Sequence, residues 1–177
     1  PILWHIIKNY NSHNLNNFIV CMGYKKESII EYFLNFNSFN NDLKVNLGDN
    51  NKSEFLGFKN ELKDVDVILS DTGLDSNTGE RIRRVKKYIP EGETFMMTYG
   101  DGLSNINLKK LLNFHKKNKK LVTVSAVRPP ARFGGLTIKK NKVSNFEEKN
   151  QIREGWINGG FFVMEPKIFK FLQGDES

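Results

Sequence analysis

Helical and strand signals alternate along these 177 residues, and the alternation predicts an α/β fold: a mostly parallel sheet with helices on both faces and a small antiparallel flap. Three observations lead there. Short apolar, β-branched runs close on turn residues, as Phe18-Ile19-Val20-Cys21-Met22 does on Gly23. Between such runs lie stretches with apolar residues at helical spacing. After Pro129-Pro130 the pattern changes to short strands separated by polar turns, which suits an antiparallel addition to a parallel sheet.

The elements follow in order. Ile2, Leu3, Ile6, Ile7 and Tyr10 recur at helical spacing behind Pro1, so a helix is expected over 2–11. The run 18–22 is a strand, and 27–35 shows one apolar helical face. From 35 to 63 the chain is polar and Asn-rich, an exposed excursion with one edge strand near 44–47. A strand at 65–69, a loop over 70–79 and a helix over 81–88 come next, then the apolar run 94–99. Asn107 opens a helix through Lys117, followed by a strand over 121–127. Short strands at 136–138 and 143–146 join through the turn Lys139-Lys140-Asn141-Lys142. A strand over 156–164 and a helix from Pro166 complete the pattern.

The length fits one domain, read as 1–177. Although 38% of residues are hydrophobic, 14 glycines and 14 phenylalanines bring the chain near globular usage and argue against disorder. A net charge of +7 favours anionic partners, though much of it lies in Lys116-Lys117-Asn118-Lys119-Lys120 and the 139–142 turn, which read as solvated surface. Cys21 is the single cysteine, so no intrachain disulfide forms, and its apolar neighbours suit a core residue in a reducing compartment. No run approaches the ~18 apolar residues of a membrane span, and no leader pattern is present, which points to the cytoplasm and away from a membrane partner. Aromatic and basic residues do not interleave on one face, which argues against nucleic acid.

Tyr99-Gly100-Asp101-Gly102, directly after an apolar strand, carries the most chemistry. It sets one carboxylate at a strand's carboxyl end, where open α/β sheets bind ligands, and a carboxylate is the hard oxygen ligand that Mg²⁺ accepts while bridging phosphates. The bland alternative is an Asp in a turn or capping a helix. Asn77-Thr78-Gly79-Glu80-Arg81 reads equally as a helix cap and as a loop whose N–H groups meet an anion. Arg81 in a first helical turn opposes the macrodipole, which is easier to explain if it faces phosphate or pyrimidine oxygens. Phe146-Glu147-Glu148-Lys149 is either a solvated charge run or a strand end presenting Glu148 to sugar hydroxyls and Lys149 to a phosphate. Within the run Trp156-Ile157-Asn158-Gly159-Gly160, glycines mark a bulge or close backbone approach, and Asn158 offers a donor and an acceptor to a hydroxyl. Arg132-Phe133-Gly134-Gly135 is a plain Gly turn or a backbone contact to a sugar. The three histidines lack metal-ligand spacing and read as helix (His5, His115) and loop (His13) residues. No nucleophile with its base is evident.

Together these segments, with Pro1 to Ile6, Phe18 to Lys25 and Asp71-Thr72-Gly73, resemble the sugar-1-phosphate nucleotidyltransferases over nearly the whole chain. Tyr-Gly-Asp-Gly with Trp-Ile-Asn-Gly-Gly-Phe-Phe points to the branch that transfers cytidylyl groups. The resemblance implies a Rossmann-like nucleotide-binding fold with the flap binding sugar, Mg²⁺ dependence, a homo-oligomer, and transfer of CMP from CTP to α-D-glucose 1-phosphate, giving CDP-glucose for polysaccharide synthesis. Carried over by motif, Asp101 holds Mg²⁺ and Lys149 binds the glucose phosphate. Glu148 and Asn158 bind the sugar, and Gly79 and Arg81 take the cytidine nucleotide; Gly134 and Gly159 are further substrate-binding candidates. Tyr99 and Gly100 line the same pocket. Family members also have a Gly-Thr-Arg loop before the point where this sequence begins and a second metal-binding Asp after the point where it stops. The expectation is therefore a fragment, inactive in isolation. Asn150 and Glu80 depart from the family's usual Pro and Gly. The alternatives are a thymidylyl- or uridylyltransferase on the same sugar phosphate, and a non-catalytic nucleotide-sugar-binding protein.

Overall fold

The computed structural model describes residues 1–48, 52–57, 62, 64–129, 135–147 and 155–172. It divides into two compact units, one of residues 1–91 with 167–177 and one of residues 92–166.

In the first unit, helix α1 (Ile2–Asn11) buries Ile6, Ile7 and Tyr10, the face that the apolar spacing marks. Strand β1 (Asn17–Met22) follows, then α2 (Lys26–Leu34) and the short α3 (Phe36–Asn40). The polar excursion holds more order than expected. Strands β2 (Asp42–Asn46) and β3 (Lys52–Leu56) pair antiparallel, with Leu43 opposite Phe55 and Lys44 opposite Glu54. Every residue of both strands is exposed, which is why an apolar-run criterion sees half of this hairpin. Strand β4 (Asp66–Asp71) then pairs in parallel with β1, so the two strands end together at Met22 and Asp71. Helix α4 (Thr78–Arg84) starts three residues earlier than the spacing suggests, because the Asn77 side chain accepts from the Glu80 N–H at 2.9 Å and caps it there. A 3₁₀ turn, Lys86–Tyr88, ends the run.

In the second unit, β5 (Phe95–Thr98), α5 (Leu108–Asn118) and β6 (Val122–Val127) appear where expected. Asn107 caps α5 by accepting from the Lys110 N–H at 2.9 Å. Strands β7 (Gly135–Lys139) and β8 (Lys142–Glu147) form the expected antiparallel flap. Lys140 and Asn141 take φ of 47° and 61°, the left-handed pair that a two-residue hairpin turn requires. Strand β9 (Ile157–Met164) departs from the expectation that it belongs with the flap. It lies between β5 and β6, antiparallel to both, because its apolar residues Phe161, Val163 and Met164 are buried there. β5 and β6 therefore run parallel to one another, and their carboxyl ends share one edge.

His115, expected as an ordinary helix residue, is buried in this unit. Its Nδ1 lies 2.8 Å from Thr123 Oγ1 and its Nε2 lies 3.0 Å from Glu165 Oε1, which also accepts from Thr94 Oγ1 at 2.8 Å. A buried imidazole needs such partners, and they tie α5 to β6 and to the end of β9.

Candidate functional site

At the shared carboxyl edge of β5 and β6, β5 runs into Tyr99-Gly100-Asp101-Gly102, a turn in which the Gly102 N–H faces the Tyr99 carbonyl at 3.5 Å. Asp101 is exposed and makes no side-chain hydrogen bond among the described residues. Neither flanking glycine needs left-handed backbone, and a Cβ at either would meet nothing within 4 Å. Their role here is to leave the space over the turn open.

Strand β9 delivers Asn158-Gly159-Gly160 to the same edge, with Asn158 opposite Ala126 of β6, where the register shifts between Val124 and Ala126. A Cβ on Gly159 would lie 2.7 Å from Ser125 Oγ and 3.0 Å from Ser125 O, so the close backbone approach expected of this glycine is present. Gly160 has φ of 79°, and its α-carbon faces the Tyr99 ring. Asn158 Nδ2 donates to Tyr99 Oη at 3.0 Å, while Asn158 Oδ1 accepts from the Gly160 N–H at 2.8 Å. The structure thus brings Tyr99, Gly100, Asp101, Asn158 and Gly159 to one edge. Beside them, Trp156 is exposed and carries the Arg128 guanidinium 4.7 Å from its ring centroid, a pairing the sequence reading missed.

The first unit holds the other predicted contacts. Met22 and Asp71 end β1 and β4 at an open depression of about 470 Å³, lined by Gly23, Tyr24, Lys26, Asp71, Gly73 and Leu74. Arg81 does not line this depression, and the oxygens it faces belong to its own chain. Its Nη1 donates to Met22 O at 3.1 Å and Thr72 Oγ1 at 2.8 Å, and its Nη2 donates to Leu74 O at 3.1 Å. Gly23 is needed beneath it, since a Cβ would come within 2.6 Å of the guanidinium and 2.9 Å of the Gly73 carbonyl oxygen. Three of five donor hydrogens are engaged, which leaves Nε–H and one on Nη2 for a ligand. Gly79 is half-buried in the first turn of α4, with a Cβ position in ordinary contact with Asn77 and Leu172.

Glu80 is buried and takes Arg83 in a bidentate pair at 2.6 Å and Arg84 Nε at 2.7 Å. Those hydrogen bonds pull its carboxyl from the ordinary 4.5 down to about 2. Arg84 also donates to Thr72 O at 2.9 Å, so Glu80 anchors the loop before α4. The spacing of Glu80 to Arg83 and Arg84, three and four residues on, was the signal available for this clamp. At the rim, Lys26 Nζ donates to Asp71 Oδ2 at 2.6 Å. That bond raises the Lys26 ammonium from its usual value, and together with the Gly73 N–H on Oδ1 it lowers the Asp71 carboxyl.

Lys149, Glu148 and Gly134 lie outside the described residues. Among the described residues, no three His, Cys, Asp or Glu side chains gather to hold a metal ion. Asp101 offers one carboxylate to a divalent ion, whose other ligands would have to come from substrate phosphates, water and a further carboxylate. It does not suit an all-protein cage. No helix among the described residues is long and apolar enough to cross a membrane.

Comparison with known proteins shows the family. A family model described as nucleotidyl transferase matches residues 1–177. The glucose-1-phosphate cytidylyltransferase of Salmonella typhimurium is 39% identical over 175 residues, which cover 99% of this chain and 67% of that protein. A Bacillus subtilis protein named "Probable glucose-1-phosphate cytidylyltransferase" is 41% identical over 175 residues, covering 99% of this chain and 66% of that one. The crystal structure of HddC from Yersinia pseudotuberculosis superposes with a TM-score of 0.59 at 23% identity, over 100% of this chain and 68% of the other, a likeness of fold. The chain thus spans about two thirds of the length of these relatives. An α/β chain with a carboxylate at a sheet's carboxyl edge, matched along its whole length by the nucleotidyl transferase model and by glucose-1-phosphate cytidylyltransferases, belongs to the nucleotidyltransferase family.

Proposed function

We propose that this chain carries the substrate site of an enzyme that transfers CMP from CTP to α-D-glucose 1-phosphate, releasing pyrophosphate and forming CDP-glucose. The observation that carries the reading is 39–41% identity to glucose-1-phosphate cytidylyltransferases over 99% of the chain, with Asp101 exposed at the carboxyl edge where ligands gather. One nucleotidyltransferase domain over 1–177 is supported by a family model that runs through both compact units. A homo-oligomer, a cytoplasmic location and a role in polysaccharide synthesis belong to the same reading.

Two anions must be held together in this reaction, so positioning and charge neutralisation dominate. Mg²⁺, when bound, would screen the triphosphate and stabilise the departing pyrophosphate. Asp101 would anchor it through its carboxylate. Lys149 would neutralise the sugar phosphate, while Glu148, Asn158 and backbone at Gly159 and Gly134 hold the hexose. Arg81 has two donor hydrogens left for the cytosine ring, with Gly79 beside it. No protein base is needed, because a sugar phosphate is already ionised at neutral pH.

The test is a panel of nucleoside triphosphates with glucose 1-phosphate and the full-length protein, with pyrophosphate release as readout. CTP is expected to give the highest kcat/KM. Preference for dTTP or UTP would support the second reading, which rests on the shared family model. No turnover with any nucleotide would reject both.

A further inference from the structure

We infer that Tyr99 is a positioning residue for Asn158: its hydroxyl oxygen fixes the carboxamide in one orientation, and its own proton is thereby directed outward to help select a sugar hydroxyl. The inference deepens the proposed function and rests on its assignment of this edge to the hexose.

The hydrogen-bond directions carry it. Asn158 Oδ1 accepts from the Gly160 N–H at 2.8 Å, which identifies the oxygen of the amide without ambiguity. Nδ2 must then be the atom 3.0 Å from Tyr99 Oη, and it can only donate. The Tyr99 hydroxyl therefore acts as acceptor in this contact, and its proton has no partner among the described residues. Asn158 likewise has one Nδ2 hydrogen unspent. Both donors sit on exposed residues, Tyr99 being 39% exposed, on atoms 3.0 Å apart. A single oxygen acceptor can lie within reach of both. Two neutral donors suit a neutral hydroxyl, whereas a phosphate calls for the cationic donors Lys or Arg.

The phenol is itself held. Its ring packs edge-on against Phe162 at 6.0 Å between centroids and over Gly160, where a Cβ would lie 3.2 Å from the ring. A φ of 79° at Gly160 turns its N–H onto Asn158 Oδ1. Ring, glycine and amide thus form one rigid unit, which is what selection of a single hydroxyl requires.

The experiment uses Tyr99→Phe, which keeps the ring and its packing and removes only the oxygen, together with Asn158→Ala and the double variant in the full-length protein. Tyr99→Phe is expected to raise KM for glucose 1-phosphate roughly tenfold, the scale of one lost hydrogen bond, with KM for CTP unchanged. The double variant is expected to lose less than the product of the two single losses, because amide and phenol hold each other and serve one acceptor. Among singly deoxygenated glucose 1-phosphates, one should show no further loss on Tyr99→Phe. Penalties that multiply in the double variant, or an unchanged KM for the sugar phosphate, would overturn the inference. Hydrogen exchange of the Asn158 side-chain NH₂, followed by NMR, reads the lock without turnover. Faster exchange in Tyr99→Phe supports the lock even if the nucleotide panel fails, and equal exchange rejects it.

Discussion

The loop after β4 and the edge after β5 present the same residue types, arginine or aspartate, glycine and a hydroxyl or amide, yet they use them differently. After β4, most polar groups are turned on their own chain: Arg81 spends three of its five donor hydrogens on Met22, Thr72 and Leu74, Glu80 holds two arginines, and Asp71 holds Lys26. After β5, Asp101 has no side-chain partner among the described residues, and Tyr99 with Asn158 keeps two donors unspent. One region is braced before any ligand arrives. The other holds its donors in place and leaves them open. Identical side-chain chemistry thus serves scaffold or recognition according to what the fold sets within hydrogen-bond reach.

The sharpest way to break this contrast is Asp101→Asn. Among the described residues it removes the only carboxylate at the open edge, and it should lower kcat/KM at least about a hundredfold, the scale of lost metal anchoring. Chemical stability in urea should be unchanged, and a large stability loss would make Asp101 scaffold after all. Gly159→Ala comes next. Its Cβ would enter the space of Ser125 Oγ, Val127 Cγ1 and Ser125 O at 2.7, 2.9 and 3.0 Å. Forcing β6 and β9 apart should cost about 1–3 kcal/mol, read from the urea midpoint at constant slope. Weakest, and confined to the braced region, is Glu80→Gln. The Glu80 carboxyl is depressed from 4.5 to about 2, so its contribution to stability is full above pH 4.5 and is lost as pH falls toward 2. Thermal midpoints of the wild type and Glu80→Gln should therefore differ at neutral pH and converge through that window. A constant difference would show that the arginine clamp is not what Glu80 supplies.

Local features were legible where neighbours in sequence are also neighbours in space. The apolar face of α1, the caps at Asn77 and Asn107, and the Lys140-Asn141 hairpin turn depend on residues at most four apart, and all were visible as spacing or turn chemistry. Strand β9 was visible as a strand but not as the centre of its sheet, because its partners lie about 35 and 65 residues upstream and an apolar run does not name its partners. His115 shows the same limit. Its helical position is local, whereas Thr123 and Glu165 reach it only through the fold. Asn158 was recognised as a donor and acceptor for a sugar. That Tyr99 holds it, 59 residues away, was not recoverable from spacing.

Residue order alone determined the alternation of helix and strand, the turn that carries Asp101, and the glycines that break the last strand, since each follows from short-range sterics and periodicity. Tertiary structure decided which arginine is spent on backbone oxygens, which carboxylate stays open, and which way the Asn158 amide points. Those outcomes depend on hydrogen-bond partners delivered by distant segments, and a hydrogen bond exists only within about 3 Å, a condition the chain meets by folding.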